Sequence, residues 1–232
     1  MVAFHHQNCF ESFERNLPWL KCLVAVNIHI RNALLEVLHD PRRGGIPSGS
    51  QELYEFFQEK EQQDKIKDLQ EKRVLNSDRL YLLLPQEKRT LSHKWNITLI
   101  CVVIIYFSKL PPPTNGWFRP PDADDSVSAS VVVARSELLI GHKHRIPDDF
   151  NDEIFRLFWS KIHNALRIFK YTKMKEFHDL ETNMIDPDKF VVMNIGKIVK
   201  NVGDQIDKKQ MISDLYNWLQ KRYQENCKFL LN

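Results

Sequence analysis

Between Asn151 and Tyr171, Ile154, Phe155, Phe158, Ile162, Ala165, Leu166 and Phe169 fall at an i, i+4, i+8 spacing that puts them on one face of an α-helix. A helix with such a face is stable only when other elements cover it, so this stretch fixes the class of partner the chain must supply. The partners read as helices. From Trp19 to Leu38, apolar residues at Leu20, Leu23, Val24, Ile28, Ala33, Leu34, Leu35 and Leu38 keep close to a 3.6-residue period, and Pro41 ends the pattern. A further helix begins near Gln51 with Leu53, Tyr54, Phe56 and Phe57. The charged stretch from Glu59 to Lys72 then carries only Ile66 and Leu69 as an apolar stripe, as expected of one or two surface helices.

The run from Ile97 to Phe107 is apolar apart from Thr98 and rich in β-branched residues. Periodicity alone does not separate a buried strand from a buried helix in so short a run. No hairpin partner lies nearby, so it reads as a central buried helix. Its length is well short of the roughly 20 apolar residues that a membrane-spanning helix requires.

Between these helices lie two segments of different character. Residues 41 to 50, PRRGGIPSGS, read as an exposed connection. The segment LPPPTNGWFRPPD, from Leu110 to Asp122, holds five of the eleven prolines. Regular hydrogen bonding is impossible there, and Trp117 and Phe118 are the expected anchors. A helix capped by Ser126 or Ser128 should then run to Ile140 and stop at Gly141. Beyond Asp186-Pro187 come two more helical patterns, the last carrying Ile212, Leu215, Trp218, Leu219 and Tyr223. The chain is all-α, without an internal repeat.

With 43% hydrophobic and 27% charged residues the chain has a globular balance, and a net charge of +3 gives no whole-molecule field for nucleic acid. Any such contact must be local. Cys9, Cys22, Cys101 and Cys227 are far apart and form no zinc-binding spacing, so they read as reduced, buried thiols of an intracellular protein. Met1 to Phe10 carries His5, His6 and Gln7 where a signal peptide would be apolar, so a cytoplasmic location is expected. Asn96-Ile97-Thr98 matches a glycosylation acceptor by chance, because it opens the apolar run.

Four landmarks stand in order: Asn96-Ile97-Thr98-Leu99; Pro112-Pro113-Thr114-Asn115-Gly116-Trp117; Arg135 followed by Gly141-His142; and Phe155-Arg156-Leu157-Phe158-Trp159. Upstream stand Leu75-Asn76 and Leu83-Leu84-Pro85. In this the chain resembles the HEPN domains of the DAZ-interacting zinc-finger protein type, over Leu20 to Asp188. The resemblance implies a helical HEPN-type bundle over 1–188, its motif core at 95–170, with an additional C-terminal helical segment over 189–232. It also implies an RNA-associated module of the kind often joined to RING, death, NACHT or tetratricopeptide segments, with signalling or ubiquitin-ligase partners and roles in defence or RNA turnover.

HEPN nucleases carry an Arg, a polar residue and a His at short spacing, and here Arg135 and His142 fit with six residues between them. The resemblance makes them the catalytic pair, in a cleft shared by two copies of the chain. The guanidinium would hold a phosphate and stabilise its transition-state charge. The imidazole would move the proton of the ribose 2′-hydroxyl or of the leaving oxygen. The implied reaction is metal-independent cleavage of single-stranded RNA, with no cofactor, leaving a 2′,3′-cyclic phosphate and a 5′-hydroxyl. Ser136, Lys143, His144 and Arg145 would grip the RNA. On a straight α-helix, residues seven apart return nearly to one azimuth, two turns apart.

Two departures keep a second function open. Ser136 stands where these domains usually carry Asn, and the spacing to His142 is one residue longer than the five of this branch. The alternative is a non-catalytic module for dimerisation or protein interaction in an immune or signalling assembly. A metal enzyme has little support, since the nine histidines show no ligand spacing. Arg31-Asn32 with His39 imitates the motif, but its spacing is too long and it lies in the first helix, so it is read as structural. His163 and the Phe155, Phe158, Trp159, Phe169 cluster are read as packing residues, and Lys72 and Arg73 as a solvated helix end.

Overall fold

A computed structural model describes residues 18–19, 21–120, 125–138 and 151–182 of the chain, and every regular element among them is helical. A π-helical segment, Ala25–Ile30, runs directly into α1, Arg31–His39, and a 3-10 turn, Pro41–Arg43, follows. Then come α2, Ser50–Gln58; α3, Lys60–Glu71; and α4, Ser77–Leu83. A 3-10 turn, Ser92–Lys94, leads into α5, Ile97–Phe107. Helix α6, Val127–Val133, continues as a second π-helical segment, Ala134–Leu138. The last described elements are α7, Asp152–Phe169, and α8, Met174–Thr182. The C-terminal helical patterns lie outside the described residues.

The starts of four helices follow from single side chains. Asn76 accepts from the Arg79 N–H at 3.0 Å, Asn96 from Leu99 at 2.9 Å, and Ser126 from Ala129 at 3.0 Å. Asn151 accepts from both Glu153 and Ile154 at 3.0 Å. Each pairs backbone donors that a helix N-terminus otherwise leaves unsatisfied. Two of the sequence landmarks, Leu75-Asn76 and Asn96-Ile97-Thr98-Leu99, are thus helix caps at the level of physics.

Helix α5 is buried almost all round: Ile97, Leu99, Ile100, Cys101, Val102, Val103, Ile104 and Phe107 all lie in the core. The β-branched run is therefore the central helix that the sequence implies. Helix α1 packs along it, and α7 packs on α6, α1 and the first π segment through Trp159, Ile162, Ala165, Leu166 and Phe169. On the other side Phe57 of α2 meets Phe107 edge-on at 5.3 Å and Trp95 at 6.2 Å. The Trp95 indole N–H donates to the Leu82 carbonyl at 3.1 Å. Helix α3 buries Gln62, Ile66 and Leu69 and pairs Lys65 with Glu61 and Lys72 with Asp68 on its wet face.

The connection after α1 departs from expectation: it is a packed turn. The Ile46 N–H donates to the Leu38 carbonyl at 2.9 Å, the Lys109 N–H donates to the Gly44 carbonyl at 2.8 Å, and Ile46 is buried. A Cβ at Gly45 would stand 2.5 Å from the Leu38 oxygen, which is why glycine occupies a turn this close to the end of α1. Helix α8 is a second departure, since Phe177 and Leu180 form too thin a stripe to have marked it.

Candidate functional site

Arg135 lies on the second π segment, where the helix that began at Ser126 widens by one residue per hydrogen-bonded turn. From Arg135 to Leu138 the chain therefore does not follow the 3.6-residue turn of a straight α-helix. Lys143, His144 and Arg145, like His142, lie outside the described residues.

The Pro-Pro-x-x-Gly-Trp loop and the Arg135 turn form one unit. Gly116 adopts a left-handed conformation, φ 77°, and donates its N–H to the Pro113 carbonyl at 2.8 Å, closing a turn that a side chain would strain. The turn presents the Trp117 carbonyl, which accepts from Arg135 Nη2 at 3.0 Å. Ser128 of α6 donates to the Pro111 carbonyl and ties the front of the same loop. A loop rich in proline, with few backbone donors of its own, is thus also held from outside by the Ser128 hydroxyl and the Arg135 guanidinium.

Phe118 corrects the sequence reading. It is 65% exposed and so does not anchor the loop in the core, whereas Trp117 is half-buried and packs against it. The Phe118 ring lies instead across the Arg135 guanidinium, with Cζ 5.0 Å from the ring centroid, and 6.4 Å from the Tyr106 ring. An aromatic residue just before Arg119 in a proline-bounded loop was the available signal for this role.

Arg135 is half-buried, and among the described residues no carboxylate pairs with it. Its charge is felt in the core behind it: Cys101 of α5 has its thiol pushed up to about 12 by burial, with Arg135 pulling weakly the other way. Cys22 is likewise buried and pushed up to about 12, so both thiols stay protonated and inert.

Ser136 is placed beside Arg135, but its hydroxyl donates to the Val132 carbonyl at 2.7 Å. Toward a ligand it offers lone pairs and not a proton, which does not suit a phosphate oxygen. Next along, Glu137 pairs with Lys161 of α7 at 2.6 Å and fastens the π turn to the amphipathic helix.

The imitation motif is structural, as its place in the sequence implied. Arg31 is buried and donates to the Trp95 carbonyl at 2.8 Å, the His93 carbonyl and Asn32 Oδ1. Burial pushes its pKa down, and its donors close the turn before α5. His39 bonds the Ile46 carbonyl at 3.2 Å and the Ser92 hydroxyl at 3.0 Å. His163 stacks on His178 at 5.6 Å, and Trp159 stacks on Phe177 at 4.8 Å in the core. Lys72 is paired to Asp68, and Arg73 sits in the left-handed position that ends α3.

The family model described as DZIP3/hRUL138-like HEPN matches residues 50–191, more than half of the chain. Comparison with curated proteins and with solved structures finds no match. The matched span leaves out Ala25–His39, although these residues pack on α5 and α7 as part of the same core. No helix among the described residues is long and apolar enough to cross a membrane.

Proposed function

Because the chain belongs to the DZIP3/hRUL138-like HEPN family, we propose that it acts on single-stranded RNA as a metal-independent endoribonuclease, with Arg135 and His142 as the reacting pair. Arg135 holds the scissile phosphate through its fork of donors and offsets the charge that builds on the non-bridging oxygens. His142 takes the proton of the 2′-hydroxyl. The 2′-oxygen bonds to phosphorus, the bond from phosphorus to the 5′-oxygen breaks, and that oxygen leaves with the proton the imidazole gives back. The products are a 2′,3′-cyclic phosphate and a 5′-hydroxyl. Two copies of the chain line one cleft, each supplying its motif, and Lys143, His144 and Arg145 follow the backbone as cations.

The observation that carries this reading is the state of Arg135. Its guanidinium is held at one nitrogen by a backbone carbonyl, remains half-exposed, and has no carboxylate partner among the described residues. Arg31 differs, being buried with its donors committed to carbonyls and an amide, whereas Arg79, held by the Val74 carbonyl at 2.7 Å, shares the state of Arg135 but not its place in the motif. A fixed cation with donors left over suits an anion that comes and goes.

The reading is tested by incubating the purified chain with labelled single-stranded RNA in EDTA and analysing the product ends. Cyclic-phosphate ends that vanish with His142→Ala support it. Intact RNA with no complex formed leaves the interaction module, in which the same paired surface would recruit proteins.

A further inference from the structure

Three large hydrophobic side chains are exposed among the described residues: Tyr81, Phe118 and Leu157. Tyr81 turns its hydroxyl to Glu87, and Leu157 is a single aliphatic group on the outer side of α7. Phe118 is the most exposed of the three, at 65%, and it alone is held over a cation. Leaving a phenyl ring in water forgoes about 1.5–3 kcal/mol of burial, so its fixed display calls for a reason.

The surroundings define what the ring suits. Gly116 sets the turn before it and Pro120 limits the backbone after it, so the ring is presented from a stiff segment. Arg135 occupies one face, Tyr106 stands near it at a tilt, and exposed Arg119 follows in the chain. Among the described residues, no other exposed large hydrophobic lies in this loop or on the α6–π rod behind it. A protein helix needs a wider apolar groove than one ring. A flat π surface beside a cation is the arrangement by which proteins take up unpaired nucleotides, the base stacked and the phosphate paired.

We propose that Phe118 is a base-stacking residue of the RNA site, receiving an unpaired base on its open face while Arg135 holds a phosphate of the same strand. This rests on the RNA reading of Arg135 given above. With Arg135 Cζ 5.0 Å from the ring centroid, the stacked base and the paired phosphate lie close enough to belong to one short stretch of strand. Duplex RNA, whose bases are stacked on each other, has no base to offer, so Phe118 selects for single strands.

The test uses the full chain and short labelled 2′-O-methyl RNA, which lacks the nucleophile for cleavage, alongside an oligomer of the same length that is abasic throughout. Phe118→Ala is expected to weaken the base-bearing oligomer roughly tenfold and to leave the abasic one unchanged. Phe118→Trp should retain affinity, and Phe118→Leu, apolar but not aromatic, should behave as Phe118→Ala. A thermal melt equal to that of the natural chain confirms that the variants fold. If Phe118→Ala weakens both oligomers alike, or neither, the stacking role is overturned while RNA binding stands. If the natural chain binds neither oligomer, the RNA reading itself falls.

Discussion

Arg135 Nη2 donates to the Trp117 carbonyl at 3.0 Å across eighteen residues of sequence. Two landmarks that look independent along the chain, the Gly-Trp loop and the Arg of the motif, are therefore halves of one device. The loop fixes the guanidinium, and the guanidinium in turn supplies a donor to a carbonyl of a proline-rich loop that has few backbone donors of its own.

The contrast between Arg31 and Arg135 gives a first expectation. Arg31→Met leaves the carbonyls of Trp95 and His93 without donors and should lower stability by about 3 kcal/mol, with RNA affinity unchanged below the unfolding transition. Arg135→Met removes one backbone bond and one ring contact and should cost about 1–2 kcal/mol, while RNA binding is lost. Denaturant melts and anisotropy titrations on the two variants check both halves.

His39 gives the fold a dependence on acid. Burial pushes its pKa below the ordinary histidine value, against the raising effect of its bonds to the Ile46 and Pro47 carbonyls. As pH falls through the unfolded value the unfolded chain takes up the proton first, so folding weakens, and the loss levels off below the depressed folded value. Between about pH 7.5 and 5.5 the natural chain should lose more stability than His39→Gln, which keeps a neutral donor at that site. Parallel melts of the two proteins across that range measure the difference, and equal losses would mean that His39 carries none of it.

Much of the fold was legible because its signals are local. Asn76, Asn96, Ser126 and Asn151 act on backbone donors within three residues, and the spacing of Ile162, Ala165, Leu166 and Phe169 states its helical period directly. What escaped depends on distant partners or on small changes of register. The turn after α1 is packed because Leu38 and Lys109 close on Gly44, Gly45 and Ile46. The π segment at Ala134–Leu138 changes hydrogen bonding without changing the apolar pattern, so it left no mark in the sequence. Phe118 was taken for an anchor because sequence does not tell a ring under a core from a ring over a guanidinium.

The central claim is that Arg135 is the cation on the scissile phosphate, and single-turnover cleavage of single-stranded RNA in EDTA measures it most directly. The natural chain should cut, and Arg135→Ala, confirmed as folded, should cut at least about 100-fold more slowly, with Arg135→Lys between the two because it keeps charge without the planar fork. Equal rates for the natural chain and Arg135→Ala would contradict the account.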